Sequence, residues 1–227
     1  MPEKDEKSIE DVMVDSIAIG KVRDLVSDIA EVGLDSILDS GLLKDFPLIG
    51  IIAKTVGAAF AIRDRIFAKK VLSFLAQLDD IPQHKKQEFV DSLKDAKERR
   101  KVGETLILLI DRLDDIGKAE ILGRLFSAHI EQKISYDDFR RLSTIVSRVF
   151  IQDLQVLLEI HMRSKKGQLT DKGSYLHDEL SAIGLLERPS ALLLESAADR
   201  LTEYADKLVE YALNERLEEN DDAKFDN

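Results

Sequence analysis

The sequence predicts an all-α protein, a helical bundle that ends in a small C-terminal winged-helix-like module. Amphipathic segments joined by short connections run through most of the chain, and several antiparallel helices are the economical way to bury their stripes. One stretch, FPLIGIIAKTVGAAFAIRDRIFAKKVLSFL (residues 46–75), is apolar on almost every side and then turns basic, which marks a helix the rest is organised around. Near the C-terminus a helix stopped by Gly184, an extended run, a polar turn and a last helix follow in winged-helix order. With 227 residues and 44% hydrophobic content the chain can bury a real core. The expected domains are 1–40, acidic amphipathic helices; 41–150, the bundle; 151–213, the winged-helix-like module; and 214–227, an acidic, apolar-poor tail expected to be disordered.

Ser8 to Ile19 and Lys21 to Leu38 read as two amphipathic helices broken near Gly20. In the second, Val22, Leu25, Val26, Ile29, Gly33 and Ile37 share a stripe that needs a partner. Ser40, Gly41 and Pro47 punctuate the passage into the apolar segment.

From Phe46 to Ile62 the run holds a single full charge, Lys54, so no wet face is separated from a dry one. Such a helix is buried in protein or placed in lipid. Its length is at the bottom of the roughly 17–25 residues that span a hydrocarbon core, and a central Lys costs about 2.5–3.5 kcal/mol there, which argues against an independent span. Ala53, Gly57 and Ala61 lie four residues apart and form a seam where a second helix, from this chain or another copy, can approach closely. Arg63, Arg65, Lys69 and Lys70 follow as a basic collar, the flank expected where a helix meets anionic headgroups. Residues 1–45 carry twelve acids against five bases, whereas 46–70 carry five bases against one acid. The collar therefore has three candidate partners: anionic lipid, another protein, or the chain's own acidic N-terminal helices.

The organising helix is expected to run to about Leu78, with Pro82 opening a short polar helix that ends near Ala96. KDAKERRK (94–101) is a second basic cluster. It leads into Val102, Leu106, Leu109, Leu113 and Ile116 at heptad spacing, with Ile107, Leu108 and Ile110 on the other side, a helix expected to be central and broken by Gly117. Ala119 to Ile130 is amphipathic. Ser135, three residues before Asp138, is a helix-start signature, and Phe139, Leu142, Val146, Val149 and Phe150 line the face that follows. Ile151 to Met162 and Asp171 to Ile183 are helical. From Pro189 to Leu217 two readings compete: a wing, with an extended run at 191–195 and a closing strand before a last helix, or one uninterrupted helix.

Several chemistries lack their residues. There is no cysteine, so disulfides, thiolate zinc sites and cysteine nucleophiles are excluded. No glycine-rich phosphate loop and no G-x-S-x-G elbow occurs. His84, His129, His161 and His177 are scattered without metal-ligand spacing, and Asp111, Asp114 and Asp115 cannot fill the positions of a calcium loop. No catalytic residue, metal or cofactor is therefore expected. A net charge of −11 argues against wholesale nucleic-acid binding, and Asp171 to Ile183 is a poor recognition helix, with Asp171, Asp178 and Glu179 against Lys172 and His177. The opening MPEKDEKSIEDV is acidic and polar, unlike a secretory signal, so a cytoplasmic protein is expected, peripheral at the inner membrane if the collar meets lipid.

Taken together, the 46–75 stretch, ETLILLIDRLDDIGKAEILGRLFSAHI and ISYDDFRRLSTIVSRVF, followed by the winged-helix-like end, resemble helical bacterial proteins grouped with the abortive-infection (Abi-alpha-like) phage-defence proteins. The resemblance covers roughly residues 40–210 and carries no catalytic motif. It implies a bacterial, intracellular, non-enzymatic protein acting at the membrane during phage infection. The rival reading is a winged-helix adaptor or transcriptional regulator with a protein or DNA partner.

Overall fold

The computed structural model describes residues 7–32, 47–56, 62–165, 175–187 and 200–213. They are overwhelmingly helical, and the one sheet among them is a pair of two-residue strands. The chain divides into two compact units, Met1–Lys133 and Ile134–Asn227. This boundary falls before the helix at 136–148, whereas the sequence reading placed that helix with the bundle.

The first unit contains α1 (Ile9–Ile17), α2 (Val22–Val32), α3 (Pro47–Val56), α4 (Ile62–Ala76), α5 (Gln83–Ser92), α6 (Ala96–Asp111) and α7 (Ile116–Ile130). Ser8 caps α1 by accepting from the Asp11 amide, which satisfies one of the donors a helix start leaves open. The turn expected at Gly20 is present, but the residue in the left-handed region is Lys21, with φ 64°. The Asp79 carboxylate then accepts from the Arg23 amide at 2.8 Å, and the Arg23 side chain returns to Asp80 at 2.7 Å, tying the start of α2 to the end of α4.

The core lies between α4 and α7. Both elements are buried on nearly every side along the contact: α4 from Val71 to Ala76, and α7 through Ile121, Leu122, Leu125 and Phe126. Gly123 permits the approach, since a Cβ there would stand 2.5 Å from the Phe74 carbonyl oxygen. Phe126 meets Phe74 at 5.6 Å between ring centroids and Phe89 edge-on at 5.5 Å. Around this pair, α1 packs on α3 and α6, and α2 on α4. Leu48 and Ile49 of α3 are buried.

Three sequence expectations change here. The helix of the heptad run is an edge helix, not a central one: Leu106 and Ile110 are buried but Leu108 is 47% exposed. The run also breaks before Gly117. Helix α6 ends at Asp111, and Asp115 caps α7 by accepting from the Gly117 amide at 2.6 Å, so the heptad pattern crossed two helices. The polar helix stops at Ser92 rather than near Ala96, because Asp95 caps α6 through the Lys97 amide.

The second unit contains α8 (Tyr136–Arg148), α9 (Ile151–Lys165), α10 (Tyr175–Ala182), strands β1 (Leu186–Glu187) and β2 (Arg200–Leu201), and α11 (Glu203–Leu208), which continues as a π-helical turn, Val209–Leu213. Ser135 and Asp138 form a reciprocal capping box at the start of α8, as the sequence signature requires. Phe139, Leu142 and Val146 are buried on its inner face, but Phe150 is 67% exposed. Strands β1 and β2 are antiparallel, with Leu186 opposite Leu201. The β2 strand excludes a single helix from 189 to 217, while 191–195 and 214–227 lie outside the described residues.

Candidate functional site

The collar does not survive as one surface. Lys70 is buried, and its ammonium donates to the Asp111 carbonyl at 3.3 Å and to the Leu113 carbonyl, which closes the C-terminal end of α6. Two other lysines of this unit are also buried: Lys86 donates to the Ile19 carbonyl at 3.2 Å beyond α1, and Lys118 pairs with Asp114 at 2.6 Å. Each threads an apolar stem through the core and delivers its charge to an acceptor. The remaining collar residues sit at the outer start of α4. Ile62 is 76% exposed and Ile66 43%. Both are in line with exposed Lys69 at helical spacing, and Arg63 and Arg65 flank them on either side. Arg63 reaches Asp111 at 3.5 Å across exposed surface. Lys54 and Ala53 fall within α3 but their side chains lie outside the described residues, as do Gly57 and Ala61 altogether.

The acids of α1 do not face this collar. Asp11 meets Arg100 at 3.3 Å and Arg99 at 3.9 Å, and Asp15 pairs with Arg99, so two arginines of the KDAKERRK cluster take these two acids.

A second site lies wholly within the second unit and was not read from the sequence. Outward-facing residues of α8, Arg140, Arg141, Thr144 and Arg148, line one wall of a cleft of about 500 Å³, with Ile145 beneath them. The opposite rim is Ile183–Gly184 and Tyr204. That rim is held rigidly. Gly184, at φ 83°, donates to Ser181, and Leu185 donates to Leu180 at 2.8 Å, the paired bonds of a Schellman ending for which a left-handed glycine is suited. Thr202 then bolts this turn to α11: its hydroxyl donates to the Gly184 carbonyl at 2.8 Å, its amide donates to Leu185, and its Oγ1 accepts from Ala205. Tyr204 is thereby fixed across from Arg141, whose guanidinium carbon stands 6.0 Å from the ring centroid.

The electrostatics of the cleft are unbalanced. The nearby acids Asp138 and Glu203 both bind Lys207, at 3.0 and 2.7 Å, and together they hold its ammonium above its ordinary value, Glu203 foremost. Among the described residues no carboxylate pairs with Arg140, Arg141 or Arg148. Three guanidiniums thus share one cleft in a chain of net charge −11.

His161, on α9, is the buried histidine among the unit's described side chains, with Nδ1 3.3 Å from Asp206. Burial is the largest influence on it, and Lys165 acts in the same direction; Asp206 and Glu210 oppose them without prevailing, so the imidazole titrates below its ordinary value of 6.5. A depressed histidine makes the unfolded state the better proton binder. Stability of this unit should therefore be full above pH 6.5 and fall as the pH drops from there towards the folded value. Thermal melts at pH 7.5 and 5.5 test this: His161→Gln should show a smaller loss on acidification than the parent, and equal losses would assign the proton linkage elsewhere.

Among the described residues no group of three or more His, Asp or Glu is arranged to hold a metal, and no helix is long and apolar enough to cross a membrane. Comparison with protein-family models, curated proteins and solved structures yields no match.

Proposed function

We propose that this chain is a non-enzymatic binding protein that docks on an anionic membrane surface, as an effector or regulator in bacterial phage defence. The observation that carries the reading is the exposed stripe Ile62, Ile66 and Lys69 with Arg63 beside it, at the start of α4 and following the apolar helix α3. Apolar side chains can enter the headgroup boundary while each Lys or Arg near an anionic surface contributes about 1 kcal/mol, which makes the attachment peripheral and reversible. The packing of α1 on α3 and of α2 on α4 supports a masked state, in which the N-terminal helices cover the apolar helix until a trigger frees it. The resemblance of residues 40–210 to abortive-infection proteins supports the setting.

Flotation with anionic and neutral liposomes tests the docking. The intact chain should float with anionic vesicles, and the Arg63→Gln, Lys69→Gln double variant should lose most of that binding, as should Ile62→Asp. Failure of the intact chain to float at any salt concentration would overturn the reading.

The second reading is a winged-helix adaptor or transcriptional regulator. It is favoured by the second unit's succession of α10, antiparallel strands separated by twelve residues, and a closing helix. Steeply salt-dependent binding to duplex DNA would distinguish it.

A further inference from the structure

The geometry points to the α8 cleft as a binding site for a nucleoside polyphosphate, a ligand class that no motif in the sequence announces. Its chemistry has two halves. Arg148 lies eight positions beyond Arg140 on the helix, about 12 Å of rise, so the three guanidiniums form a row rather than a single-phosphate cradle. Two or three linked phosphates can engage such a row, and each charge-assisted contact is of the strong kind. The other half is apolar and flat: Ile145 below, Ile183 on the facing rim, and the Tyr204 ring, which Thr202 holds in place. An inorganic polyphosphate would leave that half unused, whereas a base or nucleoside can stack on the ring. A volume of about 500 Å³ falls within the range of small-molecule sites.

Longer polyanions fit less well. Asp137 is exposed at the start of α8, and Glu179, Glu187 and Glu203 are exposed on the elements that carry the rim. A nucleic-acid strand running out of the cleft would pass these carboxylates, while a small ligand stops short of them. The absence of a glycine-rich loop is consistent with this arrangement, because here the phosphates meet side chains of one helix face instead of backbone amides.

The test is titration calorimetry on the full chain with ATP, GTP, inorganic triphosphate, a hexaglutamate peptide and a single-stranded oligonucleotide. The expected result is saturable nucleotide binding, weakened about tenfold or more by Arg141→Gln or Arg148→Gln, as befits loss of a charged hydrogen bond. Both arginines are exposed, so these variants should fold as the parent does. Tyr204→Leu should weaken ATP by about tenfold, the scale of a lost stacking contact, and inorganic triphosphate by less, through the lost contact of the ring with Arg141, and Tyr204→Phe should retain both. Triphosphate binding by the Leu variant also reports that the cleft is intact. The proposal is overturned if nucleotides do not bind, if the arginine variants bind them as well as the parent, or if the peptide or the oligonucleotide binds more tightly than any nucleotide.

Discussion

Phe126→Ala should destabilise the first unit by about 3–5 kcal/mol, the range for emptying a buried aromatic site. Phe126 is fully buried on α7, at the centre of the α4–α7 contact, and its ring joins Phe74, Phe89 and His129. Truncation leaves a cavity that none of these neighbours can fill without moving a helix. Because domains of this kind are stable by only about 5–15 kcal/mol, the loss is a large share of the total. Urea denaturation followed by circular dichroism measures it. A loss under about 1 kcal/mol would mean that Phe74 and Phe89 close over the gap, and that the cluster is not the keystone of the unit.

Gly103→Leu should detach α1 from α6. A Cβ at Gly103 would stand 2.7 Å from the Glu10 carbonyl carbon, with the carbonyl oxygen closer still. The obstacle is backbone, which cannot rotate aside, so α1 must shift and carry Asp11 and Asp15 away from Arg99 and Arg100. Overpacking and the weakened ion pairs together should cost about 2–4 kcal/mol, only partly offset by the better helix propensity of Leu. The functional consequence follows from the second contact of α1. It also packs on α3, so its displacement uncovers the apolar helix, and under the docking proposal flotation with anionic liposomes should rise. Gly103→Ala should show the same changes to a smaller degree. Loss of stability without any gain in flotation would remove α1 from the masking mechanism while leaving the exposed Ile62–Lys69 stripe to be tested on its own.

The two candidate sites differ in how they could be found. Of the α4 stripe the sequence showed the charges, Arg63, Arg65 and Lys69, as neighbours in a basic collar, whereas the exposure of Ile62 and Ile66 beside them came from the fold. The α8 cleft was not, because Arg140, Arg141 and Arg148 resemble an ordinary solvated face until Ile183, Gly184 and Tyr204 are brought opposite them. Nothing within one helical turn of those arginines announces the partner.

The same division holds for the whole molecule. Residue type and spacing alone determined the helical class, the capping box at Ser135 and the stop at Gly184, because caps and helical periods depend on interactions within about four residues. They also suggested one central helix across 102–116, where an edge helix ends at Asp111 and α7 starts at Ile116, since a heptad pattern continues unchanged across the break that Asp115 caps. Only the tertiary structure decided the fate of each cation. Lys69 and Lys70 are adjacent and chemically identical, yet one is exposed and the other is buried against carbonyls more than forty residues away. A charge is available or consumed according to what the fold brings within hydrogen-bonding distance, and that is a property of packing between distant segments.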